Sequence, residues 1–125
     1  MVIFGCGYVG RALAEAAIKA GCEVWIQSRN RDSLNAVGGV PVGRRIDGDL
    51  DGVGWHSRLE GDWDYAVNLV SSAGGGLEGY KRSYIEGNRS IREWAAGRRV
   101  GRFLYTSATS VYPQSDGRWV TEADV

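Results

Sequence analysis

Little in this chain ties it to an unusual environment. Of its 125 residues only two are proline, two cysteine and one histidine. Cys6 and Cys22 are too few to frame a disulfide-stabilised fold, and no metal site is expected. No stretch approaches the roughly 20 apolar residues that a membrane span needs, and no basic start with a small-residue cleavage site precedes the first apolar run. The expectation is a cytoplasmic protein that engages no membrane. Fifteen acidic and fifteen basic side chains cancel, so no global field draws the chain to nucleic acid, and small metabolites are the more natural partners. Lysine is scarce too: only Lys19 and Lys81 are present.

Glycine, by contrast, is abundant, with 19 residues. Directly after the apolar run Val2-Ile3-Phe4, residues Gly5, Cys6, Gly7, Tyr8, Val9 and Gly10 spell GxGxxG. Where such a loop joins a strand to a helix, the first Gly makes a tight turn, the second admits a pyrophosphate to the backbone, and the third lets helix pack on strand. The context fits. Val9, Leu13, Ala16, Ala17 and Ala20 recur at helical spacing, Gly21 stops the helix, and Glu23–Gln27 reads as a second strand. Cys6 reads as a small inert loop residue; the alternative is a thiol activated at a helix N-terminus.

Beyond this unit, Asn30–Leu34 looks like a short helix start closed by Gly38-Gly39, and a third strand is expected around Val40–Ile46 despite Pro41 and Gly43. Gly52–Glu60 suggests a short helix. Asp64–Val70 reads as an interior strand buried on both faces, and Leu77–Gly97 as the longest helix, with Tyr80, Tyr84, Ile91, Trp94 and Ala95 along one stripe. Asn88 falls on that stripe, so it needs a hydrogen-bond partner or a ligand. Arg102–Thr106 makes a fifth strand. Strands alternating with helices predict one α/β domain over residues 1–125, a Rossmann-type doubly wound parallel sheet in three αβα layers with strand order 3-2-1-4-5. Ligands then bind across the carboxyl ends of strands 1 and 4.

The end of strand 2 reads Gln27-Ser28-Arg29-Asn30-Arg31, with no carboxylate before Asp32. An acidic residue at that tip accepts the ribose 2′-hydroxyl of NAD, whereas an Arg there accommodates the 2′-phosphate of NADP. Ser28 and Arg29 therefore favour NADP over NAD, with Arg31 or Arg11 adding positive charge. The competing reading makes these arginines solvated helix-start residues.

Taken together, GCGYVG, Ser28-Arg29, Asp49-Leu50, Asn68-Leu69-Val70-Ser71 and Tyr105–Pro113 occur in the order seen in extended short-chain dehydrogenases/reductases. The chain resembles the atypical group of that family, NAD-dependent epimerase/dehydratase-like, since the more usual GxxGxxG would need Gly at Phe4. The resemblance implies that Asp49 and Leu50 lie against the adenine. It further implies that Leu69, Val70 and Ser71 line the adenine-ribose and pyrophosphate side, and that Thr106 and Ser107 approach the nicotinamide.

For catalysis the resemblance implies a Ser or Thr after strand 5 and a Tyr-x-x-x-Lys acid/base pair. Alignment on Val111-Tyr112 puts Ala108 at the Ser/Thr position, leaving Ser107 or Thr109 as substitutes, and no Tyr is followed four residues later by Lys. The chain is thus expected to be truncated before the catalytic and substrate-binding part, to bind cofactor without turnover, and to expose a strand-5 edge through which copies associate. Two other readings stand beside this one: the nucleotide domain of a β-hydroxyacid dehydrogenase, and a non-catalytic NADP sensor or binding module.

Overall fold

The computed structural model describes residues 1–72 and 74–124; Ala73 and Val125 lie outside the described residues. Strands β1 (Val2–Phe4), β2 (Trp25–Ser28), β3 (Arg45–Asp47), β4 (Trp63–Asn68) and β5 (Val100–Tyr105) form one parallel sheet in the order β3-β2-β1-β4-β5. This is the order expected of the alternation. β1 is only three residues long, yet it pairs on both sides, Ile3 lying between Ile26 and Val67. A central position compensates for its length.

Side chains of β1 alternate across the sheet, as pleating requires. Ile3 joins Ala14 and Ala17 of helix α1 (Tyr8–Lys19) and Leu34 of helix α2 (Arg31–Asn35) on one face. Val2 and Phe4 point to the other, where Trp94 and Ile91 of helix α4 (Gly87–Ala95) cover them together with Trp55 and Leu59. Phe4 meets Trp55 at 5.0 Å and Trp94 at 5.8 Å between ring centroids, the tilted and edge-on contacts that aromatic quadrupoles favour.

The buried face of α1 runs through Gly10, Ala14 and Ala17, not through Val9, Ala16 and Ala20. Close packing of Gly10 on the preceding turn fixes the rotation of the helix, and hydrophobicity alone puts it one residue out of phase. The helix stops as expected. Gly21 takes φ +84°, and the Cys22 amide donates to the Ala17 carbonyl in the six-to-one bond that closes a Schellman turn.

Three expectations shorten. Pro41, held at φ −59°, leads into a 3-10 turn over Val42–Arg44, so β3 begins only at Arg45. Gly52–Glu60 yields a single 3-10 turn, His56–Arg58, although Trp55 and Leu59 are buried beside it. On β4, Asp64 and Tyr65 are exposed and burial is confined to Ala66, Val67 and Asn68, because the β5 side of the sheet lacks full cover.

The long helix is real but composite: α3 (Gly76–Tyr80), a π-helical stretch over Lys81–Glu86, and α4 run on without a break. A π turn takes more residues than an α turn, so the helix before it rotates relative to the helix after it. Ile91 and Trp94 are buried as expected, whereas upstream the buried positions are Gly79, Ser83 and Gly87 rather than Tyr80 and Tyr84. Tyr80 and Tyr84 pack on each other at 5.4 Å instead.

Candidate functional site

Strand order reverses between β1 and β4, and the chain leaves β1 through the glycine turn. Gly5 adopts φ +94°, and a Cβ there would come within 2.9 Å of both Leu69 C and Val70 N. At Gly10 a Cβ would stand 1.9 Å from the Gly5 carbonyl oxygen. Gly7 differs: it takes φ −74°, and an added Cβ would meet nothing within 4 Å. Two of the three glycines therefore serve packing, and the middle one faces open space. Gly7 caps α1 without any side-chain bond, and the first intrahelical donor to it is the Arg11 amide at 2.9 Å. The preceding amides of the first turn have no intrahelical acceptor, which makes this helix start receptive to an anion.

Around this turn lies a cleft of about 380 Å³. Its base is Gly5, Cys6 and Gly7; Ser28 and Arg29 bound it at the exit of β2; Asp49 and Leu50 bound it past β3; Leu69, Val70 and Ser71 bound it past β4. Ten of the residues singled out in the sequence thus converge. The β2 exit shows why Arg29 projects. Ser28 Oγ accepts from the Asn30 amide at 3.1 Å and Asn30 Oδ1 from the Ser33 amide at 3.1 Å, turning the chain sharply into α2 with Arg29 at the bend. Arg11 is matched by Glu15 at 3.4 Å and Arg31 by Asp47 at 2.7 Å. Among the described residues, Arg29 has no carboxylate at ion-pair distance.

Other expected residues stand apart from the cleft. Tyr8 and Val9 are 95% and 59% exposed on the first turn of α1, and Gly10 is consumed in packing. Asn88 has both amide atoms engaged: Oδ1 accepts from Asn68 Nδ2 at 2.8 Å, and Nδ2 donates to the Tyr84 carbonyl at 2.9 Å. Asn68 Oδ1 in turn accepts from the Val70 amide at 3.0 Å, so this pair fixes the path of the β4 exit. Thr106, Ser107 and Thr109 are exposed beyond β5, with Thr106 tied to the Asn68 carbonyl through its amide at 3.1 Å. The activated-thiol alternative for Cys6 fails. The residue is 3% exposed, and burial pushes its thiol up to about 11.

Gln27, Arg82 and Ser83 also line the cleft and were not singled out in the sequence. Gln27 is 1% exposed; its Nε2 donates to the Gly48 carbonyl, while its Oε1 is buried without a hydrogen-bond partner. A polar residue inside an apolar strand was the signal available for it. Arg82 and Ser83 enter from the π stretch, and the change of helical phase hid them. Among the described residues no group of three or more His, Cys, Asp or Glu side chains gathers as a metal site, and no helix is long and apolar enough to cross a membrane.

Comparison with known proteins bears on the family and the fold. A family described as the NAD dependent epimerase/dehydratase family matches residues 1–124. Among solved structures, a short-chain dehydrogenase/reductase superfamily protein from Agrobacterium tumefaciens with bound NAD superposes with a TM-score of 0.78 at 23% identity. That match covers 99% of this chain and 38% of the other, so the present chain spans well under half the length of that protein. No curated protein matches the chain.

Proposed function

The chain belongs to the NAD dependent epimerase/dehydratase family and forms an NAD(P)-binding domain of that type, and from this premise we propose that it binds NADP in preference to NAD. The observation that carries the preference is Arg29, exposed at the mouth of the cleft beside Ser28 with no carboxylate partner among the described residues. A guanidinium offers a planar set of donors that matches a phosphate, and no acidic side chain occupies the β2 tip to take up a ribose 2′-hydroxyl.

The residues present fit a dinucleotide. The open space at Gly7 and the orphan amides of α1 suit a pyrophosphate, and Leu50, Leu69 and Val70 line the same cleft and offer apolar surface to an adenine. Asp49 and Ser71 supply polar contacts at either end. Thr106 and Ser107, at the carboxyl end of β5, lie on the nicotinamide side. Asn88 acts indirectly, by holding Asn68 and thus the β4 exit.

A bound nicotinamide would supply hydride exchange with an alcohol or ketone. This chain offers no Tyr-x-x-x-Lys pair to move the accompanying proton, and Ala108 stands where a substrate-positioning hydroxyl is called for. Ser107 and Thr109 are the hydroxyl residues that flank it. By itself the chain binds and does not turn over.

Titration of both cofactors against the purified chain tests this. NADP should bind more tightly than NAD, and Arg29→Ala should weaken NADP by roughly 10- to 100-fold, the worth of a charge-assisted hydrogen bond, while leaving NAD within about twofold. Tighter binding of NAD by the parent chain sinks the preference.

A further inference from the structure

Resting on the dinucleotide reading, we propose that Arg82 and Ser83, turned into the cleft by the π stretch, form a second contact for the adenosine diphosphate half of the cofactor, one that does not depend on the 2′-phosphate. The helix carrying them is drawn tightly onto the cleft. A Cβ at Gly87 would stand 3.2 Å from Leu50 Cδ2, and one at Gly79 would stand 2.1 Å from the Gly74 carbonyl oxygen. Only small residues at these positions let the backbone come so near, and Leu50 is itself part of the cleft wall.

Two other cations on this helix are matched locally. Lys81 Nζ lies 2.9 Å from Glu78 and Arg89 Nη1 lies 2.6 Å from Glu86, each three residues back. Arg82 is exposed, lines the cleft, and has no carboxylate at ion-pair distance among the described residues. Ser83, next to it, is 7% exposed and lines the same cleft. The floor presents an unmet acceptor in the buried Gln27 Oε1. A cation, a hydroxyl and a buried amide oxygen together suit a ligand with phosphate oxygens and sugar hydroxyls. Asp49 and Asp51 lie on the same rim and would repel a phosphate that only Arg29 neutralised. Arg82 enters from a different element than Arg29, so the two guanidinium groups act on different parts of the ligand.

The experiment compares NADP, NAD and ADP binding by the full chain with Arg82→Ala, Arg82→Lys and Ser83→Ala, taking Arg92→Ala, outside the cleft, as the control. Arg82→Ala should weaken all three ligands by a similar factor of about ten with the NADP-to-NAD ratio unchanged, and Arg82→Lys should recover part of the loss. Ser83→Ala should weaken ADP by a few-fold. Affinities of Arg82→Ala within twofold of the parent, or a loss confined to NADP, overturn the proposal. A parent chain that binds none of the three ligands overturns the dinucleotide reading itself, a result distinct from a parent that binds and an Arg82→Ala chain that binds equally well.

Discussion

A methyl group added in the glycine turn would meet a different fate at each position. At Gly10 it would stand 1.9 Å from the Gly5 carbonyl oxygen, a backbone atom that cannot swing aside as a side chain can. Gly10→Ala should therefore cost about 3 kcal/mol or more, at or beyond the top of the usual overpacking range, and lower the urea midpoint accordingly. At Gly7 the same group would meet nothing within 4 Å and the backbone is already at φ −74°, so Gly7→Ala should leave stability within about 0.5 kcal/mol while impairing dinucleotide binding. Equal losses of stability in the two variants would refute this division of labour. The sequence motif names all three glycines together, and only their surroundings separate packing from ligand approach.

Elements in this fold are linked by short polar chains across the sheet face. His56 Nε2 lies 2.9 Å from Ser90 Oγ, which donates to the Gly52 carbonyl at 2.6 Å, so the imidazole must be the donor to the serine. This ties α4 to the loop before β4. Burial lowers the His56 pKa below its ordinary 6.5, with Glu93 partly opposing and Arg98 assisting. The folded state thus favours neutral His56, and its contribution is fully present above the unfolded pKa and is lost as pH falls from there through the lowered folded value. The urea midpoint of the parent should drop between about pH 7.5 and 5.5, and His56→Gln should flatten that drop. Identical pH slopes for the two proteins would remove His56 from the account. None of this is legible in the sequence, because the partner of His56 lies 34 residues away and the Gly52–Glu60 segment that carries His56 reads as a short helix. The composite helix makes the same point: its length and its Ile91–Trp94 stripe could be read, but the phase of Gly79, Ser83 and Gly87 could not, since the π stretch rotates one half against the other.

For the whole molecule, the sheet is asymmetric. β1 is wholly buried, whereas on β5 Phe103 and Leu104 are 49% and 50% exposed and one row of backbone donors and acceptors faces outward. Such an edge is a template for another strand. Static light scattering should show the purified chain associating with rising concentration, and Leu104→Lys should shift it toward the monomer; a parent chain that stays monomeric throughout is the adverse result. The strand order itself followed from alternation of strands and helices, since parallel pairing through right-handed crossovers leaves few arrangements.

By itself the sequence determined the fold class, the strand order, the glycine turn and the arginine at the β2 exit. Each is a local matter: a period of hydrophobicity, a residue without a side chain, a missing carboxylate at a fixed offset. Tertiary structure alone decided which of these residues share a cleft. It paired Arg31 with Asp47 and left Arg29 with no carboxylate at ion-pair distance among the described residues, satisfied Asn88 through Asn68 and Tyr84, buried Cys6, and turned Arg82 and Ser83 toward the site. Those outcomes depend on rotations of helices and on contacts between residues far apart in the chain, and neither is encoded at any single position.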